Sequence, residues 1–289
     1  MSNPRAEYSP IVGRPPLRLP GGAKVAVWPV INVEEWDINA PMARTVIPAP
    51  QGVTVLPDIA NFSWFDYGLR VGFWRMKGVL DRHGIRATLS LNASVCNSYP
   101  VIVEESLKSG WEMLGHGFIQ RALNLEEDER DVIRRSIRTI KETTGRAPRG
   151  WMGPGLAETF DTPDILAEEG IEYVCDWVND DQPYPMKVKS GSLVAIPYTV
   201  ELNDIPMYLV QNHPSPEIFQ RSKDYFDTLY EESEEGARIM CVSTHPYITG
   251  AAHRIRYYNQ VFEYIKRHEG VIFMTGSEIL DWYKGETGM

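Results

Sequence analysis

The chain has 289 residues, 43% of them hydrophobic, and a formal net charge of −10. That length buries a core without disulfide or metal staples, and the acidic balance argues against nucleic acid, whose phosphates require clustered Lys and Arg. No apolar run approaches the roughly 18 residues of a membrane span, and the polar, Pro-rich stretch Met1 to Leu19 lacks the apolar core of a signal peptide. The expectation is a cytoplasmic protein with no nucleic-acid partner and no membrane partner. Cys96, Cys175 and Cys241 are odd in number and far apart. They read as buried, reduced thiols rather than a disulfide framework.

In chain order, residues 1–22 carry Pro and Gly without a clear period. They predict an N-terminal arm, packed on a partner subunit, ahead of a single catalytic domain over 23–289. Lys24 to Val33 is an apolar run and reads as a buried strand, although Pro29 is unusual inside one. Residues 37–66, rich in Pro, Asn and aromatics, read as a long loop of the kind that covers a site. Helical spacing follows over Gly72 to His83, then a strand over Arg86 to Leu91. A helix over Val101 to Ser109 and a short strand over Glu112 to Leu114 come next. Glu126 to Thr143 is a charged amphipathic helix stopped by Gly145 and Pro148, with the acidic stretch up to Arg138 as its solvated face. Thr162 to Glu169 is a short helix with Thr162 as its cap. Ile171 to Cys175 and Leu193 to Pro197 are strands, and Pro216 to Glu234 is a helix. Arg238 to Ser243 is a strand, Arg254 to His268 a helix, Val271 to Met274 the last strand and Ser277 to Tyr283 the last helix. Alternation of this kind builds a parallel sheet with helical crossovers, and about seven such units suggest an α/β barrel rather than an open sheet.

Barrel enzymes carry their chemistry on loops at the C-terminal strand ends. The polar residues that fall there are Asn32, Glu34 and Glu35 after the first strand, and His116 with Gln120 after Glu112–Leu114. Trp151 precedes a turn containing Pro154. Asp176, Trp177, Asp180 and Asp181 follow the Ile171 strand, Glu201, Asn203 and Asp204 follow the Leu193 strand, and His245 follows the Arg238 strand. His213 and His253 read as surface or interface residues.

These positions, in this order, resemble the polysaccharide-deacetylase (NodB-homology) superfamily over about residues 20–285. The resemblance implies an irregular (β/α)7 barrel and, for most members, metal-dependent deacetylation. Two aspartates usual after the first strand are matched by Glu34 and Glu35. The usual His-x-x-x-His metal motif is matched by His116 and Gln120, so its second imidazole is replaced. The turn after Trp151 is kept, with Met152 where an Arg is usual, and His245 matches the last catalytic His. The stretch Asn32 to Glu35, the lone His116, Asn179 to Tyr184, Ile196 to Asp204 and Phe65 to Arg75 are similar to the branch of cofactor-independent bacterial allantoinases. That resemblance implies a metal-independent hydrolase and a homo-oligomer, dimer or tetramer.

Each candidate has a plainer reading beside the functional one. Adjacent Glu34 and Glu35 face opposite sides of a strand, and only at its end can both reach a pocket. There a buried carboxylate near a second one has a raised pKa and acts as general base or acid near neutral pH. His116, between two glycines, is a catalytic candidate; a lone His is as a rule structural. Gln120 reads as a substrate hydrogen-bonding group or a helix-start residue, and it is a poor zinc ligand. His245 has the titration range of a general acid. Asp204 and Asp180 orient such a His, bind substrate amides or cap turns, while Trp151 and Trp177 fill core or rim when they do not stack on substrate. Asn32, Pro154 and Asp176 complete the candidate binding set. The expected reaction on a small-molecule substrate is hydrolysis of a cyclic amide, imide or ureide. Glu34 or Glu35 activates water, His116 holds the oxyanion and His245 protonates the departing nitrogen, with no metal. Two rivals remain open: a zinc-dependent deacetylase of amino-sugars holding its metal with Glu35, His116 and Gln120, and a non-catalytic small-molecule-binding homologue.

Overall fold

The computed structural model describes residues 3–289. In chain order its elements are β1 (Val25–Val33), α1 (Ile59–Tyr67), α2 (Phe73–His83), β2 (Thr88–Leu91), α3 (Val95–Ser98), α4 (Pro100–Lys108), β3 (Glu112–Gly115), α5 (Glu129–Thr144) and β4 (Gly150–Trp151). They continue with α6 (Thr162–Glu168), β5 (Tyr173–Val174), β6 (Tyr184–Met186), β7 (Leu193–Ala195), α7 (Glu217–Glu232), β8 (Arg238–Thr244), α8 (Ile255–Ile265), β9 (Val271–Phe273) and α9 (Gly276–Thr287). The sheet runs β6-β7-β5-β4-β3-β2-β1-β8 with β9 beside β1. Every pairing is parallel except β6 with β7. The free edge of β8 is taken by loop residues: Ile239 N–H donates to Asp181 O at 3.1 Å and Ser243 N–H to Leu202 O at 3.3 Å. The sheet therefore curls into an irregular, incomplete barrel of the expected class.

Pro29 sits mid-strand in β1, a strand with partners on both edges, and the topology explains why it is tolerated. Val27 O and Val33 O accept from Met274 N–H and Asn92 N–H on one edge. Pro29 shares their parity, so its nitrogen, which has no hydrogen, points to the same edge. There β9 pairs with Val25 to Val27 and β2 with Val30 to Val33, leaving a gap at Pro29 where no ladder bond is needed.

The two-residue period sorts the side chains. Ala26, Trp28 and Val30 of β1 join Leu114, Tyr173, Val194, Ile239 and Cys241 in the barrel interior. Val25, Val27, Ile31 and Val33 join Leu89, Leu91, Met240 and Val242 under the helices. The three cysteines are free and buried, as their sequence context suggests.

Three expectations are corrected. Helix occupies 59–67 inside the stretch read as loop, because Asp58 caps it by accepting from Asn61 N–H. Its apolar and aromatic residues are spread around the helix axis, so no one-sided stripe marks it in the sequence. Thr162 is not the cap of α6: Asp161 holds that place, and the Thr162 hydroxyl donates to Glu129. Strand β6 was not foreseen; it is only three residues long and includes Pro185. The N-terminal arm packs on its own chain. Arg5 pairs with Asp164 at 2.8 Å, Arg14 with Asp180 at 2.6 Å, and Leu17 O accepts from Ala237 N–H at 2.9 Å.

One close approach sets the loop that carries His245. A π-helical turn, Gly68–Gly72, leads into α2. A Cβ on Gly72 would lie 2.0 Å from Pro246 O, and one on Gly250 would lie 2.4 Å from Gly72 Cα. Backbone meets backbone here, so neither side can yield cheaply. Gly72→Ala is expected to destabilise the fold by about 3 kcal/mol, the upper part of the overpacking range. The check is a lower urea midpoint at unchanged slope. Gly13→Ala, with nothing within 4 Å of the new methyl, is the control and should leave the midpoint in place.

Candidate active site

The inward-facing register of the strands continues one step past their ends. After Trp28, Val30 and Asn32 comes Glu34; after Thr88 and Ser90 comes Asn92; after Leu114 comes His116; after Cys241 and Ser243 comes His245. These four make the top layer of the barrel, at the C-terminal strand ends. Gln120 Nε2 donates to Glu34 Oε1 at 2.8 Å. The same oxygen lies 3.4 Å from His245 Nε2 and 3.8 Å from His116 Nε2. Tyr247 OH reaches Glu34 Oε2 at 3.5 Å. Gln120 is itself oriented by Asn92, whose Nδ2 donates to Gln120 Oε1 at 3.1 Å and to His116 O.

Each imidazole has its tautomer or orientation fixed from behind. His116 Nδ1 is 2.8 Å from Met152 O. A carbonyl only accepts, so Nδ1 carries the proton and the buried Nε2 faces the site without a partner. His245 Nδ1 lies 2.6 Å from Asp204 Oδ1, while Asp204 Oδ2 accepts from His245 N–H at 2.8 Å and from Thr249 Oγ1 at 2.6 Å. Burial works against charge on both members of the Glu34–His245 pair, but their mutual attraction and hydrogen bonds outweigh it. With His245 and His116 beside it, Glu34 is held down at about 2. Burial alone would lower His245; Asp204 and Glu34 instead raise it to about 9. At neutral pH the site thus holds a carboxylate beside an imidazolium. Burial, with Glu34 and Asp204 close, pushes the Tyr247 hydroxyl well above its ordinary value, so it serves as a donor.

Glu35 does not join this cluster. Its N–H donates to Asn92 Oδ1 at 2.8 Å, and its side chain lines a small cavity that Glu34 also lines, with Trp36, Phe65 and Tyr99. Asn32 lies one layer below, buried, donating to Tyr198 OH and Ser243 Oγ, and forms the floor rather than a free binding group. Trp151 faces outward and is fully buried in the core, so it offers substrate no surface. Pro154 is buried against Gly117, where a Cβ would lie 2.7 Å from the proline ring. Asp180 is engaged by Arg14 and cannot serve substrate. Asp176 accepts from Gly153 N–H at 2.8 Å, and Trp177 Nε1 donates to Glu158 at 3.1 Å. Burial pushes up both Asp176 and Glu158, whose carboxyl groups lie together. Of the expected catalytic residues, then, Glu34, His116 and His245 come together, with Asp204 behind. Asn92, Tyr247 and Thr249 were not foreseen; the polar alternation Thr88, Ser90, Asn92 along β2 is the signal that points to the first of them.

A larger cavity, about 470 Å³, opens along α7 beside Asp181, Glu201 and Arg221. It contains none of the convergent groups, and the chemistry belongs to the strand ends rather than to it.

The ligand set expected for zinc does not fit. Glu35 pairs with neither imidazole, the Gln120 carboxamide oxygen is committed to Asn92 and its nitrogen to Glu34. Among the described residues no group of three or more His, Cys, Asp or Glu side chains is placed to hold a metal ion.

Comparison with known proteins shows what the chain is similar to. The family model described as polysaccharide deacetylase matches residues 59–174. A Schizosaccharomyces pombe protein named as a polysaccharide deacetylase is 28% identical, with 90% of each chain covered. Among solved structures, a polysaccharide deacetylase from Pseudomonas aeruginosa PAO1 superposes with a TM-score of 0.85 at 26% identity, covering 97% of this chain and 99% of the other. PuuE allantoinase superposes with a TM-score of 0.84 at 26% identity, covering 97% and 98%. Residues 59–174 match the polysaccharide-deacetylase family model, and over most of its length the chain is similar to proteins named as polysaccharide deacetylases and as an allantoinase.

Proposed function

We propose that this polysaccharide-deacetylase domain opens a cyclic amide, imide or ureide ring with water activated by Glu34 and without a metal. The observation that carries this reading is the Gln120 amide. It donates to Glu34 where the second imidazole of a His-x-x-x-His pair would turn its ligand nitrogen. Glu34 Oε1 and His116 Nε2 stand 3.8 Å apart. A water held between them and donating a hydrogen to Glu34 is oriented for attack. Glu34 takes the water proton as the C–O bond forms, and the C–N bond breaks as His245 protonates the nitrogen. The proton then passes from Glu34 to His245, 3.4 Å away, and resets the site. A neutral substrate entering between Glu34 and His245 weakens their attraction and makes the carboxylate more basic.

The oxyanion needs donors beside His116, whose Nδ1 faces Met152 O at 2.8 Å. The second amide hydrogen of Gln120 and the Tyr247 hydroxyl are the donors for that charge. Turnover of hydantoins and cyclic imides, measured before and after exhaustive chelation, tests the reading. Activity is expected to survive chelation at close to its original rate. Stoichiometric zinc whose removal abolishes hydrolysis of N-acetylated sugars would establish the metal deacetylase instead. Silence across rings and sugars alike would leave a binding protein.

The same reading includes self-association and a cytoplasmic site of action. The segment 46–59 exposes Val46, Ile47, Val53, Leu56 and Ile59. Its backbone is nevertheless fixed, because buried Asn61 bonds both the N–H and the C=O of Ile47 at 3.0 Å. A second copy of the chain is the proposed cover for this apolar surface. Light scattering should give a multiple of the 32.9 kDa chain mass; a monomer mass alone would refute it. No helix among the described residues is long and apolar enough to cross a membrane.

A further inference from the structure

Glu35 and Trp36 are adjacent, and both line the cavity of about 30 Å³ that also touches Glu34. Each carries a buried polar atom without a hydrogen-bond partner, an acceptor at Glu35 Oε2 and a donor at Trp36 Nε1. The other polar pair there is satisfied internally, since Tyr99 OH donates to Asp66 Oδ1 at 3.2 Å. Phe62, Phe65 and Leu69 supply apolar walls. Buried polar atoms left unpaired are costly, so two in one small cavity mark a place that a ligand completes.

We propose that Glu35 and Trp36 form a recognition subsite for a cis amide edge, in which an N–H and a C=O lie side by side. Glu35 Oε2 accepts from the N–H, and the Trp36 indole N–H donates to the C=O. The proposal rests on the ring-opening reading above and deepens it by naming the group that selects the substrate. Geometry makes the subsite selective. In a five- or six-membered lactam, imide or ureide the ring forces the amide cis, so donor and acceptor share one edge. In an open-chain N-acetyl group the amide is trans, and the cis form costs about 2.5–4 kcal/mol. Its N–H and C=O then point opposite ways, and one of the two buried atoms stays unpaired. The cavity is also too small for a sugar ring and fits one such edge. Since Glu34 borders the same space, an edge held there brings the rest of the ring to the base.

The test measures binding apart from chemistry, in protein carrying Glu34→Gln so that no turnover intervenes. Calorimetry with hydantoin, its N-methylated derivatives and N-acetylglucosamine supplies the comparison. Trp36→Phe and Glu35→Leu are each expected to weaken hydantoin by roughly five- to tenfold, the loss of one net hydrogen bond. Glu35→Gln keeps an acceptor and should recover much of that loss. Methylating the recognised nitrogen should weaken binding when Glu35 is present and make little difference in Glu35→Leu. N-acetylglucosamine should be indifferent to all three changes. Hydantoin that does not bind, or binds equally well to Glu35→Leu and Trp36→Phe, overturns the subsite. If the native chain hydrolyses hydantoins while these affinities stay unchanged, the subsite fails and the function stands. If the affinities shift as expected and no ring is opened, the subsite stands and the function fails.

Discussion

Glu34→Gln lowers kcat and kcat/KM together, by about 10²- to 10⁴-fold, the range for a lost general base. The substitution is close to isosteric, and Gln120 and Tyr247 still surround the position, so substrate affinity should move far less than the rate. Physically, a carboxamide has no basic lone pair to take the water proton, and it removes the charge that sits 3.4 Å from His245. The comparison with Glu35 is decisive. Glu35 stands outside the cluster, so Glu35→Gln should leave kcat largely intact and act on KM. Steady-state kinetics of the two variants on a hydrolysed ring separate the roles. Equal collapse of kcat in both, or near-native kcat in Glu34→Gln, would remove Glu34 as the base. Arg138→Ala, on the helix α5, is the neutral control.

Asp204→Asn should be the second large effect, a fall in kcat of about 10²- to 10⁴-fold with a change in the pH profile. Asp204 bonds His245 Nδ1, the His245 backbone N–H and Thr249 at once, so it fixes the ring and stabilises its charged form. His245 is raised to about 9 by Asp204 and Glu34 against the pull of burial. In the native enzyme, kcat/KM should therefore hold across neutral pH and fall as the imidazolium deprotonates near 9. Without the Asp204 charge that alkaline limb must move to lower pH, because burial then dominates. A kcat loss with the limb unmoved would mean that Asp204 only packs. The shifts also govern stability. The His245 contribution is complete below its unfolded value of about 6.5 and is lost as pH rises through about 9. That of Glu34 is complete above its ordinary value of 4.5 and is lost as pH falls toward about 2.

The alternation of strand and helix in the sequence determined the barrel class, because a buried parallel strand and an amphipathic helix leave different hydrophobic periods. The same reading placed Glu34, His116 and His245 at strand ends, since the inward face of a strand keeps its period for one residue beyond the ladder, and it placed Asp204 in the loop after the Leu193 strand. Partnership was not legible. Whether Asp180 meets a substrate or Arg14 depends on contacts 166 residues apart, and whether Gln120 serves the ligand or Glu34 depends on one 86 residues apart. Pro29, Trp151 and Glu35 show the same divide. Each residue type was compatible with two environments, and only the tertiary structure chose: by leaving a gap in the ladder at Pro29, by turning Trp151 into the core, and by setting Glu35 beside Trp36 and Tyr99 rather than against the imidazoles. The physical reason is that period and propensity act over a few neighbouring residues, whereas the partners of a buried polar group are set by how distant segments close on one another.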